Sequence, residues 1–227
     1  GEIKMARGKR KSFGADQTSK VTPPDQNWIP KTDLGKLVLN RDITSMEEVM
    51  TQNFVLKEPE ITKHLIPNLE YDVIEVKLVQ KQTDAGEKSR FRATVIVGNK
   101  DGWIGIGTNK APQVHKAIEK ALNKSLLTLF PVRRGCGSWE CGCTLNHSVR
   151  VNSAGHWGNV RVQILPGPRG LGIVAAETAK SVIKLAGVND CWVKTFGETR
   201  TVDNFAHATY TALKNSYSLI TKEAWIR

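Results

Sequence analysis

The sequence predicts an α+β protein built in two units, and three observations carry that expectation. Apolar residues alternate with a period of two between Ile74 and Ile106, then fall on a helical stripe between Val114 and Leu129. After a break at Pro131-Val-Arg-Arg-Gly135 the change of period recurs: alternation from His147 to Leu165, then helical stripes from Ala176 to Ala186 and from Val202 to Ser216. At 227 residues the chain is long enough to bury a separate core in each unit. The order strand, strand, strand, helix, with a short helix before it, is that of small domains of the double-stranded-RNA-binding type.

Taken in order, residues 1–27 carry Lys4, Arg7, Lys9, Arg10, Lys11 and Lys20 without an apolar period, which predicts a basic, disordered tail. Residues 28–67 read as an extension with two short helices. Ser45-Met-Glu-Glu48 has the form of a capping box. Pro59 opens the second, in which Ile61, Leu65 and Ile66 share a face. The first unit spans 68–131. In it Ile74, Val76 and Leu78 mark one strand, and Phe91, Ala93, Val95 and Val97 a second across the loop Thr83–Lys88. Asn99-Lys-Asp-Gly102 is a hairpin turn leading to a third at Trp103, Ile104 and Ile106, and Asn109 is placed to cap the helix that follows. A linker, 132–146, precedes the second unit at 147–227. There the spacing predicts strands over His147–Asn152 and Trp157–Leu165 around a turn at Ser153-Ala-Gly-His156. Two helices and a strand over Asp190–Phe196 complete it, with Gly187 in the position that ends the first helix.

Charge speaks to partners. Lys plus Arg number 33 against 22 acidic residues, a net charge of +11, so a polyanion is attracted. No apolar run approaches the roughly 20 residues of a spanning helix, and the basic N-terminus is followed by no hydrophobic segment, so neither a membrane span nor a signal peptide is expected. Four Cys do not make a disulfide framework in a chain of this length, which fits a reducing compartment. The expected RNA-binding residues are Lys81, Lys88, Ser89, Arg90, Arg92 and Lys110 around the first sheet, with Lys100 nearby, and Arg133, Arg134, Arg150, Arg161 and Arg169 around the linker and second unit.

Three motifs invite sharper chemistry. Gly105-Ile-Gly107 lies between strand and helix, but it lacks the Lys-Ser/Thr of a phosphate loop and the third Gly of a dinucleotide fingerprint. Its glycines are better read as letting strand and helix approach. Gly167-Pro-Arg-Gly-Leu-Gly172 precedes a helix, where backbone N–H groups and Arg169 would suit a phosphate, or where it simply connects. Cys136, Cys141, Cys143 and His147 form a Cys-x4-Cys-x-Cys-x3-His run. It is chemically able to hold zinc, though the Cys-x-Cys spacing departs from common fingers; free thiols, and a thiol–imidazole pair involving Asp190, are the alternatives. No metal or other cofactor is expected to be required.

Several separated blocks resemble one family. They are Trp28-Ile-Pro-Lys-Thr-Asp-Leu-Gly-Lys-Leu-Val38, Val79-Gln-Lys-Gln-Thr-Asp-Ala-Gly-Glu-Lys-Ser-Arg-Phe-Arg-Ala93, Phe130-Pro-Val-Arg-Arg-Gly135, Leu165-Pro-Gly-Pro-Arg-Gly-Leu-Gly-Ile173 and Leu185-Ala-Gly-Val-Asn-Asp190. From about Trp28 to the C-terminus the chain resembles the small-subunit ribosomal protein numbered five in bacteria and two in eukaryotes, in its eukaryotic and archaeal form. The resemblance implies a double-stranded-RNA-binding-like first domain and a βαβ second domain of the GHMP-kinase type. It implies a non-enzymatic, cytoplasmic role in ribosomes, with a nucleolar stage if eukaryotic. Implied partners are small-subunit ribosomal RNA, messenger RNA at the entry channel and neighbouring ribosomal proteins, with support for decoding accuracy. The loop matching Asp84–Arg90 is implied to reach RNA, and Pro168, Arg169, Gly170 and Gly172 to meet a protein neighbour. The Cys-rich linker is not the family's usual sequence. A double-stranded-RNA-binding module acting outside the ribosome and a GHMP-kinase-type enzyme are the competing classes.

Overall fold

In the computed structural model, residues 19–21, 28–66 and 68–217 are described. The chain runs β1 (Ser19–Lys20), α1 (Asp33–Leu39), α2 (Met46–Thr51), α3 (Pro59–Leu65), β2 (Glu70–Thr83), β3 (Gly86–Gly98), β4 (Trp103–Ala111), α4 (Val114–Leu127), β5 (Phe130–Pro131), β6 (Arg134–Gly135), β7 (Ser148–Val149), β8 (Ser153–Trp157), β9 (Val160–Pro166), β10 (Ile173–Val174), α5 (Glu177–Leu185), β11 (Cys191–Phe196) and α6 (Val202–Tyr217). The α+β class holds.

Two larger sheets carry the fold. One is antiparallel in the order β1-β2-β3-β4-β5, and the other has the order β10-β11-β9-β8 with β10 parallel to β11. A third, small pairing joins β6 to β7 across the linker. Alternation along β3 explains how the layers stack. Ala93, Val95 and Val97 enter a core shared with α1, α2, α3 and α4, while Ile96, with Ile104 and Ile106 of β4, enters a second core shared with α5, α6, β7 and β9. The five-stranded sheet is therefore covered on both faces. Helix α6 lies between the two sheets.

Local chemistry sets the element ends. Ser45 accepts the Glu48 N–H at 3.3 Å, and the Glu48 carboxylate accepts the Thr44 N–H at 3.2 Å, so the expected capping box forms one residue wider than its usual pattern. Helix α1 is one that sequence reasoning missed. Thr32 caps it by accepting from Gly35 N at 3.2 Å, and Gly35, a poor helix former, leaves room for Trp28 and Pro30 to pack on it. Helix α5 ends as expected: Gly187 has φ +79°, its N–H donates to Lys184 O, and Val188 N–H donates to Ile183 O.

Several expectations are corrected. Ser19–Lys20 pairs with Tyr71 and Glu70, so these residues belong to the sheet; the rest of the expected disordered tail, 1–18 and 22–27, lies outside the described residues. Asn109 is not a cap. Strand β4 continues to Ala111 because β3 still offers Phe91 as its partner there, and α4 begins at Val114 after Gln113. The proposed turn at Ser153–His156 is instead strand β8. The chain reverses at Gly158-Asn159, between the pair Trp157↔Val160, with Gly158 at φ +59°.

Candidate nucleic-acid interface and a thiol cluster

The β2–β3 hairpin outruns the sheet. Strand β4 stops opposite Phe91, whereas β2 and β3 stay paired from Val79↔Arg90 to Thr83↔Gly86. Those five pairs make a two-stranded arm about 17 Å long at 3.4 Å per residue. Gly86, at φ +113°, closes its tip where any Cβ would be strained, and Thr83 Oγ1 donates to Gly86 O at 2.7 Å. The expected loop over Thr83–Lys88 thus shrinks to a tight turn.

Residues opposite one another across an antiparallel pair point to one face. The register sets Lys81 against Lys88, Val79 against Arg90, Lys77 against Arg92, and Arg92 against Lys110. Lys81, Lys88, Arg90, Arg92 and Lys110 therefore share one face, and Lys77, which sequence reasoning missed, joins them. Its signal was present: it lies four residues before Lys81 on an alternating strand. Ser89 is not part of that face. It points the other way, accepting from Gln80 Nε2 at 3.2 Å.

The charge at the base of the arm is anchored. Asp203, in the first turn of α6, lies 3.4 Å from Arg92 Nε and 3.8 Å from Lys77 Nζ, and accepts the Thr94 hydroxyl. Lys77 also pairs with Glu75 at 2.7 Å. Toward the tip, Lys81, Lys88 and Arg90 are exposed.

The remaining arginines do not join this face. Arg133, Arg134 and Arg150 line an open cleft of about 750 Å³ beside Trp103 and Tyr217. Arg134 is bound there to Asp101 and the Gly187 carbonyl, and Arg133 lies over the Tyr217 ring at 4.8 Å. Lys100 pairs with Glu70 at 2.6 Å. Arg161 is exposed on β9, opposite His156 and Phe196, on the outer face of the second sheet.

The Pro168–Gly172 loop disappoints as a phosphate cradle. It leads into β10, and α5 starts only at Glu177, whose carboxylate already occupies the positive end of the helix. Gly170 and Gly172 turn the chain at φ +87° and +74°. The Gly172 N–H donates to Asp190 Oδ1 at 2.8 Å, and Arg169 stays exposed at the tip. Gly105 and Gly107 behave as expected: a Cβ on either would overlap a carbonyl oxygen of α4, at Ser125 or Ala121.

Beside that loop Cys136, Cys141, Cys143 and His147 converge, their ligand atoms all within 4.8 Å of one another. His147 Nδ1 meets Asp190 Oδ2 at 2.8 Å, and its Nε2 faces Cys141 Sγ at 3.9 Å. Backbone N–H groups of Cys143 and Arg169 pull the Cys141 thiol down to about 6, and burial with the neighbouring thiols pushes Cys136 up to about 11. Cys191 stands apart in the core, its thiol pushed up to about 12 by burial. Cys141, His147 and Asp190 do line up as a thiol, an imidazole and a carboxylate, with the thiols of Cys136 and Cys143 gathered beside them.

No helix among the described residues is long and apolar enough to cross a membrane. Residues 69–133 match the family model described as ribosomal protein S5, N-terminal domain, and residues 155–225 match that of ribosomal protein S5, C-terminal domain. The chain is 46% identical over 202 residues to the small ribosomal subunit protein uS5 of Staphylothermus marinus, covering 89% of this chain and 94% of that one. It is 50% identical over 198 residues to the uS5 of Aeropyrum pernix, covering 87% and 91%, and 49% identical over 190 residues to that of Pyrobaculum aerophilum, covering 84% and 87%. With both domain models matched in order and nearly full-length relatives at this identity, the chain belongs to the ribosomal protein S5 family.

Proposed function

We propose that this protein is a non-enzymatic structural constituent of the small ribosomal subunit, and that its β2–β3 arm lies against ribosomal RNA. The family membership and the names of its relatives support the first part. The arm carries the second: Lys81, Lys88 and Arg90 form an exposed basic row on one face, with no carboxylate paired to them among the described residues. A ribbon of this kind contacts phosphates and reads shape, since the deep groove of an RNA duplex hides its base edges.

The order α3-β2-β3-β4-α4 supports a double-stranded-RNA-binding-like first domain. The β10-α5-β11 unit supports a second domain of the GHMP-kinase type, kin in fold and not in activity. Placement near the messenger entry channel, an influence on decoding accuracy, and contact of the Pro168–Gly172 loop with a neighbouring ribosomal protein belong to the same reading. The exposed Arg169 is consistent with that contact. A ribosomal, cytoplasmic address follows; the nucleolar stage expected of a eukaryotic member finds no support in these relatives. A module acting outside the ribosome is not favoured by them either.

The test reverses the tip charges with Lys81→Glu, Lys88→Glu and Arg90→Glu together. The variant is expected to fold and melt as the native chain does, to leave the small-subunit fractions of a gradient, and to bind RNA with a salt slope shallower by about 2 to 3 log units per log salt. Normal co-sedimentation of the folded variant with small subunits would overturn the assignment of the arm. Native protein found mainly outside particles would overturn the ribosomal reading.

A further inference from the structure

The twelve residues between β6 and β7, 136–147, are tied at Gly137, against the Arg150 backbone, and at His147, but bury neither of their two large apolar side chains. They form no regular element, and they leave Trp139 92% exposed and Leu145 51% exposed. An excursion of that length without an apolar anchor carries the full entropic cost of closure. Yet its two ends and its middle meet at one point, and the groups that meet are three sulfurs and one imidazole nitrogen.

The separations there are close to the edges of a zinc tetrahedron. Zinc–sulfur bonds of about 2.3 Å and a zinc–nitrogen bond of about 2.0–2.1 Å imply edges of about 3.8 Å between sulfurs and about 3.6 Å from sulfur to nitrogen. Cys141 Sγ lies 3.2 Å from Cys143 Sγ and 3.9 Å from His147 Nε2. With no ligand atom more than 4.8 Å from another, one ion satisfies all four after shifts of well under 2 Å.

The surroundings of His147 supply an independent argument. The residue is buried, its carbonyl accepts the N–H groups of Asn189 and Asp190 at 2.9 and 3.0 Å, and its Nδ1 meets Asp190 Oδ2. With Nδ1–H donating to the carboxylate, Nε2 presents its lone pair to the thiols. A carboxylate fixing the tautomer and direction of a histidine in this way is the usual outer partner of a metal-bound imidazole. Three soft thiolate donors and one imidazole converging on one point select zinc over magnesium, calcium or manganese.

We propose that Cys136, Cys141, Cys143 and His147 form a closed structural zinc site, with Asp190 orienting His147. Four protein ligands leave no open position, so the ion holds structure and does no chemistry. What it holds is specific. Asp190 also accepts the Gly172 N–H, and Cys191 N–H donates to Gly172 O at 3.2 Å. The ion therefore ties the linker to the Pro168–Gly172 loop and to the start of β11. The proposal is independent of where the protein works.

Elemental analysis of the full chain, purified reduced and without chelator, is expected to find about one zinc per chain, as a closed four-ligand site requires. Exchange with cobalt(II) is expected to give the visible bands of tetrahedral thiolate coordination. Cys141→Ser and Cys143→Ser should abolish both signals, whereas Cys191→Ala should keep them. Asp190→Asn should weaken zinc about 10- to 100-fold in competition with a chromophoric chelator. Should the cysteine variants fail to fold, the metal content and cobalt spectrum of the native chain decide. A folded native chain that stays substoichiometric after zinc is added would overturn the site. So would a Cys141–Cys143 disulfide in a chain whose melting is indifferent to chelator.

Discussion

Asp203 serves three partners from a buried position at the start of α6: the Thr94 hydroxyl, the Arg92 guanidinium and the Lys77 ammonium. Arg92 and Lys77 keep contact with solvent and can rehydrate, but Thr94 is fully buried, and Asp203 is the side-chain partner of its hydroxyl among the described residues. Asp203→Ala is expected to cost about 1–3 kcal/mol, most of it from the stranded hydroxyl, and Thr94→Val should recover part of that loss in the double variant. Denaturant titration of the four proteins checks it. A neighbouring residue gives a pH signature. Burial lowers the pKa of His207, against the pull of Asp203, and the ring stacks on Trp157 at 4.7 Å. The folded state thus prefers neutral His207, while the unfolded chain takes up a proton at the ordinary value. Stability from this residue is complete above that value and is lost as pH falls through it toward the folded one. Native protein is expected to lose more stability than His207→Gln between about pH 7.5 and about pH 5.5 in thermal melts. Glu58 shows the opposite balance. Partial burial pushes its pKa up, but hydrogen bonds from Thr32, Lys31 and Trp28 outweigh it and hold the carboxyl below its usual range.

At the scale of elements, the packing of α4 on β4 is a close joint. Gly105 and Gly107 bring the strand against the helix backbone, with Ser125 and Ala121 as the facing residues. Gly107→Val is expected to cost about 1–3 kcal/mol or more through overpacking, measured by urea unfolding, with the α4 side of the sheet losing hydrogen-exchange protection first. The strands that alternate cleanly, β2, β3 and β4, were legible in the sequence, as were α4, α5 and α6, because each shows its period over several turns or pairs. The misreadings share a cause. Asn109 has a cap's chemistry, but β3 holds it in a strand, and that pairing partner lies 16 residues away in the register Ala93↔Asn109. Ser153-Ala-Gly has a turn's composition, yet Gly155 is a strand residue whose missing Cβ admits α6 at Ala208 and Ala212. In the linker the four metal-type ligands were legible as residues. Their convergence was not, because Asp190, which aims His147, comes 43 residues later.

For the whole molecule, the layers run α4, five-stranded sheet, α5 with α6, four-stranded sheet, and this order was only partly visible beforehand. Two helix-bearing units were legible from the double change of period. That they share a core was not, because Ile96, Ile104 and Ile106 look like ordinary alternate positions until α5 and α6 are set against them. The same stacking explains the division of basic residues. Those at the sheet's centre are tied to carboxylates between layers, and those on the projecting arm are free to face outward.

The double membership of β3 has a bearing on how the chain is made. Synthesis delivers residues 70–111 well before residues 160–213, so the nascent sheet leaves the exit tunnel with Ile96, Ile104 and Ile106 wetted on one side. A greasy surface of this kind is sticky until the later segments arrive to shield it. Completion of the amino-terminal half therefore waits on the translation of its own carboxy-terminal helices.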